Sequence, residues 1–305
     1  MTSTDTLADV PVDETLLRSL LKEQHPDLAD LEVGPVFRGW DNELWRLGEE
    51  LAVRLPRTPR APELLAKEYR WLPVLAPRLP LPVPTPVRLG RPSSLFPAAW
   101  TVVEWVPGDP ADRVPVTRAD HAADALAGFL RALHRPAPAD APANPDRGVP
   151  LATFASRVEE TLRTTDFGEF ATDDIREVWE AGLAAPVRQE PALWLHGDLH
   201  PANVVVADGT LTGVVDFGEL CAGDPATDLS AAWMLLPDGA AARFLESYGT
   251  HDTALITRAR AWATARAFGL IAIGQAGDQG LPGGKPTWGP AGWATLRRVL
   301  ADTGT

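Results

Sequence analysis

Pro107-Gly108-Asp109-Pro110 divides this chain into two stretches of different hydrophobic rhythm. Two prolines around a Gly-Asp pair interrupt helix and strand alike. Ahead of the break, short apolar runs at residues 31–37, 43–47, 51–55, 85–90 and 99–105 read as strands, with turns at 39–42 and 48–50. Residues 13–25 read as an amphipathic helix capped by Asp13, and residues 62–75 as a second helix. A proline-rich connector at 80–86 follows it. Beyond the break the period becomes helical, at 118–134, 153–164, 173–185, 225–236, 239–248 and 252–275. Short strands at 193–195, 204–206 and 211–215 interrupt it. A Pro/Ala loop at 137–150 and a Gly/Pro loop at 277–290 complete the outline, with a last short helix after the second. The expectation is an α+β chain: a small strand-rich lobe, residues 1–106, and a larger helical lobe, residues 107–305, hinged near 103–108.

Composition narrows the function. The 305 residues suit two units of roughly 150 each, and 45% hydrophobic residues suffice for a core. Acidic side chains outnumber basic ones, 41 to 28, for a net charge of −13. That balance opposes nucleic-acid binding, which calls for a basic face. The single cysteine, Cys221, excludes an intramolecular disulfide and a cysteine metal knuckle. No apolar run reaches the ~18 residues of a membrane span. Residues 1–12 are polar and acidic, unlike a signal peptide, so a cytoplasmic protein without membrane partners is expected.

The chemistry concentrates in Leu195-His196-Gly197-Asp198-Leu199-His200-Pro201-Ala202-Asn203-Val204 and Gly213-Val214-Val215-Asp216-Phe217-Gly218. An aspartate in a tight loop after a strand can meet a substrate hydroxyl. An asparagine five residues on, and an aspartate at the next turn, offer hard oxygen ligands. Such oxygens suit magnesium, which takes one or two carboxylates and completes its shell with phosphates and water. Phosphoryl transfer needs this combination of metal and hydroxyl-orienting carboxylate.

These segments resemble the catalytic and metal loops of the aminoglycoside phosphotransferase family, which shares its fold with protein kinases and choline kinase. Gly223-Asp224-Pro225-Ala226-Thr227-Asp228-Leu229 matches the same family. The resemblance implies a two-lobed protein-kinase-like fold and the transfer of the γ-phosphoryl group of ATP or GTP to a small-molecule hydroxyl. It makes Asp198 the catalytic base, Asn203 and Asp216 the magnesium ligands, His196 a residue shaping the loop, and Asp228 the group that bonds that loop from the following helix. His200 is read as packing within the loop.

The N-terminal half resembles the family's nucleotide site less sharply. Phe37-Arg38-Gly39-Trp40-Asp41-Asn42 is similar to the loop covering the phosphates, with Asn42 a candidate contact. Arg54 stands where protein kinases carry a phosphate-binding lysine; Lys67, on the next helix, cannot simply replace it. An arginine grips phosphate as a planar fork. Glu68, or else Glu63, is expected to hold Arg54. Val103-Glu104-Trp105-Val106 resembles the adenine-binding passage, through the backbone of Glu104 and Val106, with nucleotide between the lobes. Most of the eleven tryptophans, such as Trp45, Trp71 and Trp233, fall in apolar periods and read as core. Trp288 and Trp293, near the second loop, are candidates for an acceptor pocket.

Three functions follow in order: a kinase of hydroxylated antibiotics, aminoglycoside or macrolide, serving resistance; a kinase of a cellular metabolite or biosynthetic intermediate; and an idle nucleotide-binding regulator. The negative charge would steer a polycationic acceptor. Only seven residues separate Asp216 from Asp224, too few for the activation segment of a protein kinase.

Overall fold

The computed structural model describes residue 7 and residues 10–302, so most of the N-terminal stretch weighed as a targeting signal lies outside the described residues. Two compact units form: Met1–Pro107 with Val214–Gly218, and Gly108–Gly213 with Glu219–Thr305.

In the first unit Asp13 caps α1 (Glu14–Gln24) by accepting the Leu16 amide at 2.8 Å, a donor with no partner inside the helix. Leu17, Leu20 and Leu21 recur at helical spacing and are buried. The strands β1 (Val33–Arg38), β2 (Asn42–Leu47) and β3 (Leu51–Pro56) precede α2 (Ala61–Leu75); β4 (Pro86–Gly90) and β5 (Trp100–Glu104) follow it. All five join one antiparallel sheet, ordered β1-β2-β3-β5-β4. Side chains of the central strand β3 alternate between its two faces. Val53 and Leu55 enter a core with Leu17, Leu20, Leu47, Phe96 and Trp100. Arg54 takes the opposite face and meets α2. Gly90 pairs with Trp100, and a methyl group there would come within 1.9 Å of the indole, so this close approach requires glycine. Val214 ties the returning segment to this unit by donating its amide to the Pro82 carbonyl at 3.1 Å.

The second unit opens with β6 (Asp109–Pro110), then α3 (Ala119–Leu133), α4 (Ala155–Thr164) and α5 (Thr172–Ala184). Short strands follow: β7 (Leu193–Leu195), β8 (Val204–Ala207), β9 (Thr210–Val214) and β10 (Cys221–Gly223). The remainder is helical: α6 (Ala226–Leu229), α7 (Ala231–Leu235), α8 (Ala240–Tyr248), α9 (Thr253–Asp278) and α10 (Trp288–Ala301). β6, β8 and β9 form a three-stranded sheet, and β7 pairs with β10. The long α9 buries Leu255, Trp262, Phe268 and Ile271, and packs on α5 and α10. No helix of the described residues is long and apolar enough to cross a membrane.

The α+β architecture, strand-rich first and helical after, agrees with the sequence. Three local expectations need correction. The helix expected over 225–236 is two short helices parted at Ser230, whose hydroxyl donates to the Thr227 carbonyl at 2.6 Å; such back-bonding bends a helix. The loop expected over 277–290 is shorter, because α9 runs to Asp278 and α10 starts at Trp288, with Pro290 in a first turn that tolerates proline. The Pro-Gly-Asp-Pro break itself contributes β6, and Cys221–Gly223, to which the sequence pattern assigns no element, forms β10. Both are extended because a neighbouring strand pairs with them, not by intrinsic preference.

Candidate active site

Chemistry-bearing side chains gather in each unit. In the second, β7 delivers the chain into the loop that begins at His196, and β10 pairs with it along Leu193–Leu195. The loop turns at Gly197, whose φ is +83°. A Cβ at this position would stand 2.6 Å from the Glu219 carbonyl oxygen, so a side chain has neither the conformation nor the room. Asp228, fully buried at the start of the helical region, accepts the His196 amide at 2.7 Å and the Gly197 amide at 2.9 Å. Its Oδ2 also meets His134 Nε2 at 3.2 Å, and His134 Nδ1 lies 2.9 Å from the Tyr248 hydroxyl. Burial works to raise the Asp228 carboxyl, but the His134 bond and charge, His196 and the loop amide overcome it and hold the group below its ordinary range. The loop is thus fixed by an ionised carboxylate at its first two peptides.

Asp198 follows. Its amide donates to His196 Nδ1 at 3.2 Å, which accounts for the fully buried His196 as a loop-shaping residue. Its carboxylate Oδ1 accepts from Arg147 Nη2 at 3.0 Å and from Arg266 Nη2 at 2.8 Å. Its Oδ2 lies 3.4 Å from Asn203 Nδ2 and 3.5 Å from His200 Nε2. Burial opposes the charge, yet Arg266, His200 and Arg147 prevail and keep Asp198 well below the usual carboxylate range. Asn203 spends its amide nitrogen on the Asp198 carbonyl, at 3.0 Å, leaving Oδ1 as the atom for a cation. His200 is buried, accepts the Ala202 amide, and packs its ring 4.5 Å from that of Trp288. Trp293 stacks on Phe170 with centroids 6.3 Å apart, beside Phe167. Trp288 and Trp293 are both half-buried; of the tryptophans read as core, Trp233 is buried, whereas Trp45 and Trp71 are only half-buried.

In the first unit Arg54 is buried and ion-paired with Glu68 of α2, while Glu63 is exposed. Arg54 Nη2 also lies 3.8 Å from Asp216 Oδ1. Asp216 adopts a left-handed backbone, φ +62°, uncommon outside glycine and tolerated by aspartate, and its side chain is 55% exposed. Burial pushes the Glu68 carboxyl up to about 7, against the pull of Arg54 and with a small addition from Asp216. A folded-state value above the free value of 4.5 contributes stability fully present below 4.5 and lost as pH rises through about 7. Glu68→Gln is therefore expected to flatten the fall in unfolding free energy between pH 5 and pH 8, a fall of up to about 3 kcal/mol, measured by urea denaturation. An unchanged pH dependence in the variant would contradict this.

Asn42 begins β2; it is 9% exposed, its Oδ1 is buried without a partner, and its carbonyl accepts the Gly39 amide. The turn beside it is tied to the segment between β3 and α2 by Asp41, which accepts from Thr58 at 2.6 Å and from Arg60 at 2.7 Å. Glu104 ends β5 with its side chain exposed and its amide committed to the Thr85 carbonyl at 2.9 Å, so its remaining backbone group for a ligand is the carbonyl. Val106 is 7% exposed.

The structure brings Asp198 and Asn203 together in one unit, and Arg54, Glu68 and Asp216 in the other. Among the described residues no group of three His, Cys, Asp or Glu side chains forms a metal site by itself. Asn203 Oδ1 in the one unit and the exposed Asp216 carboxylate in the other are each hard oxygen donors of the kind magnesium takes. Sequence reasoning missed Arg147, Arg266, His134 and Tyr248. Arg147 lies in the Pro/Ala loop and Arg266 within α9, with no local motif to mark either.

The phosphotransferase enzyme family model matches residues 32–268. Among curated proteins, an aminoglycoside 3'-phosphotransferase of Escherichia coli is 29% identical over 159 residues, covering 50% of this chain and 59% of that protein. A namesake from Salmonella typhimurium is 28% identical over the same length. The chain thus spans somewhat over half the length of the curated relatives it matches. Among solved structures, an aminoglycoside phosphotransferase in complex with GDP and kanamycin superimposes with a TM-score of 0.66 at 19% identity, over 94% of this chain and 99% of that one. A macrolide 2'-phosphotransferase from Brachybacterium faecium gives 0.58 at 23%, over 90% and 97%. These likenesses establish the kinase-like fold that the motifs imply. With its family model spanning most of the sequence and both loops of the motif in place, the chain belongs to the phosphotransferase enzyme family of the aminoglycoside phosphotransferases.

Proposed function

We propose that this protein transfers the γ-phosphoryl group of ATP or GTP to a hydroxyl of a small molecule, and that the molecule is an antibiotic of the aminoglycoside or macrolide type. The observation that carries this reading is Asp198: an ionised carboxylate, on a loop pinned by Asp228, with the metal-type ligand Asn203 bonded to its backbone. Asp198 orients the acceptor hydroxyl and receives its proton as the phosphoryl group leaves the nucleotide. Residues 1–106 hold the nucleotide: Arg54 grips phosphate oxygens, Glu68 keeps Arg54 in place, Asn42 belongs to the phosphate-covering turn, and the Glu104 carbonyl and Val106 amide recognise the purine edge. Residues 107–305 supply catalysis and the acceptor site. Magnesium, when bound through Asn203 and Asp216, neutralises charge on the phosphates.

The nature of the acceptor is supported by the solved neighbours, among them complexes with kanamycin, gentamicin and streptomycin. The charge of −13 favours encounter with polycations. Expression in a sensitive host, followed by antibiotic susceptibility testing, checks that choice. Unchanged susceptibility together with phosphorylation of a sugar or amino alcohol would assign the acceptor to metabolism instead. For the nucleotide half, Asp216→Ala is expected to weaken magnesium-dependent ADP binding about tenfold or more by calorimetry, while leaving the weak metal-free binding in place. Equal affinity with and without magnesium in the parent would remove Asp216 from the metal role.

A further inference from the structure

Asp198 is held asymmetrically. Both arginines direct Nη2 at the same oxygen, Oδ1, at 3.0 and 2.8 Å. An arginine facing a carboxylate ordinarily forms a two-pronged pair that engages both oxygens. Here each guanidinium spends its other arm on the main chain: Arg266 Nη1 on the Gly197 carbonyl at 3.2 Å, Arg147 Nη1 on the Asp146 carbonyl at 3.0 Å. Each arginine therefore braces the carboxylate against backbone, one from α9 and the other from the 137–150 loop. The braces are largely shielded, with side-chain exposures of 11% for Arg266 and 26% for Arg147.

The second oxygen is treated differently. The partners of Oδ2, Asn203 Nδ2 at 3.4 Å and His200 Nε2 at 3.5 Å, stand beyond the 2.7–3.2 Å of a well-formed N–H···O bond. Oδ2 thus keeps lone-pair capacity, while Oδ1 is saturated by two cationic donors. Asn203 and His200 are both buried on the same loop, so they limit how far Oδ2 can swing.

We propose that Arg147 and Arg266 are positioning residues, which lock the Asp198 carboxylate through Oδ1 so that Oδ2 alone receives the acceptor hydroxyl. This deepens the phosphotransferase reading and rests on it. The hydroxyl donates its hydrogen to Oδ2, its oxygen attacks the γ-phosphorus, the bond to the β–γ bridging oxygen breaks, and the nucleoside diphosphate departs with that electron pair. The proton passes to Oδ2 or to solvent. Positioning of this kind acts on the rate of transfer rather than on nucleotide binding, since neither arginine is assigned a phosphate.

The test uses the full chain, with magnesium and ATP or GTP, and three acceptors: kanamycin, erythromycin and water, the last read as released phosphate. Arg147→Gln and Arg266→Gln are each expected to lower the transfer rate about 10- to 100-fold, the range for a misplaced catalytic group, with the nucleotide KM within about twofold of the parent. Arg266→Lys, which keeps a donor for Oδ1, should recover part of the loss. The double glutamine variant should fall to the rate of Asp198→Asn and no lower, because both arginines act through that one carboxylate. A purely structural role would instead raise the nucleotide KM and lower Tm alongside the rate. Should Arg266→Gln fail to fold, the more exposed Arg147→Gln carries the test alone. Parent-like rates in a folded glutamine variant overturn the clamp, as does a double variant slower than Asp198→Asn. A parent-like rate in Asp198→Asn, or a parent that transfers phosphate neither to these three acceptors nor to a sugar or amino alcohol, sinks the phosphotransferase reading instead.

Discussion

Asp198→Asn should reduce phosphoryl transfer by about 10²- to 10⁴-fold, the range for a positioned general base, while the nucleotide continues to bind. The substitution is nearly isosteric. It removes the charge that Arg147 and Arg266 compensate, and it places either an amide nitrogen or a neutral oxygen where the acceptor hydroxyl needs a strong hydrogen-bond acceptor. The carboxylate is ionised across the working pH range because its cationic neighbours outweigh its burial. Protein elements contribute mostly position and electrostatics to phosphoryl transfer, so most of the expected loss comes from misorientation and lost charge. The check is steady-state kinetics beside a nucleotide titration. Loss of nucleotide affinity in step with the loss of rate would count against the assignment.

Asp228→Ala is the second large effect, and it falls on stability. This side chain has no exposure, and its two oxygens serve the His196 and Gly197 amides and the His134 ring. Alanine strands these buried groups in a cavity. Breaking one side of such a buried, charged network costs about 3–5 kcal/mol. For a unit of this size that corresponds to a fall in Tm on the order of 10 °C. Because the folded carboxyl is held below its free value of 3.8, its contribution is present above that value and lost only as pH falls further. The difference in Tm between parent and variant should accordingly be constant from pH 6 to 8 and narrow under strong acid. A variant as stable as the parent at neutral pH would contradict the anchoring role.

The proposed catalytic segment is legible in the sequence because Asp198, Asn203, Asp216 and Asp228 fall within one short stretch, at spacings imposed by a strand, a tight loop and the next strand. Arg54 and Glu68 are legible for a similar reason: one strand and the following helix bring them together over 14 residues. The supporting shell follows no such spacing. Arg147 reaches Asp198 across 51 residues, Arg266 across 68, and His134 reaches Asp228 across 94. An arginine in an apolar helix such as α9 looks, in sequence, like any solvated face. Its role exists only after α9 has packed. The short strands β6 and β10 escape notice on the same ground, since two or three residues containing Pro, Gly or Ala have no extended preference of their own. Ser230 hides its break within a run of Ala, Trp, Met and Leu that otherwise favours one continuous helix.

The most direct test of the account follows the phosphorus itself. Single-turnover reactions with γ-³²P-labelled ATP and GTP, run with kanamycin and erythromycin and resolved by chromatography, show where the label goes. The predicted result is label on an acceptor hydroxyl with stoichiometric nucleoside diphosphate in the parent, and label retained on the bound nucleotide in Asp198→Asn. Transfer proceeding at the parent rate without the Asp198 carboxylate would contradict the account at its centre.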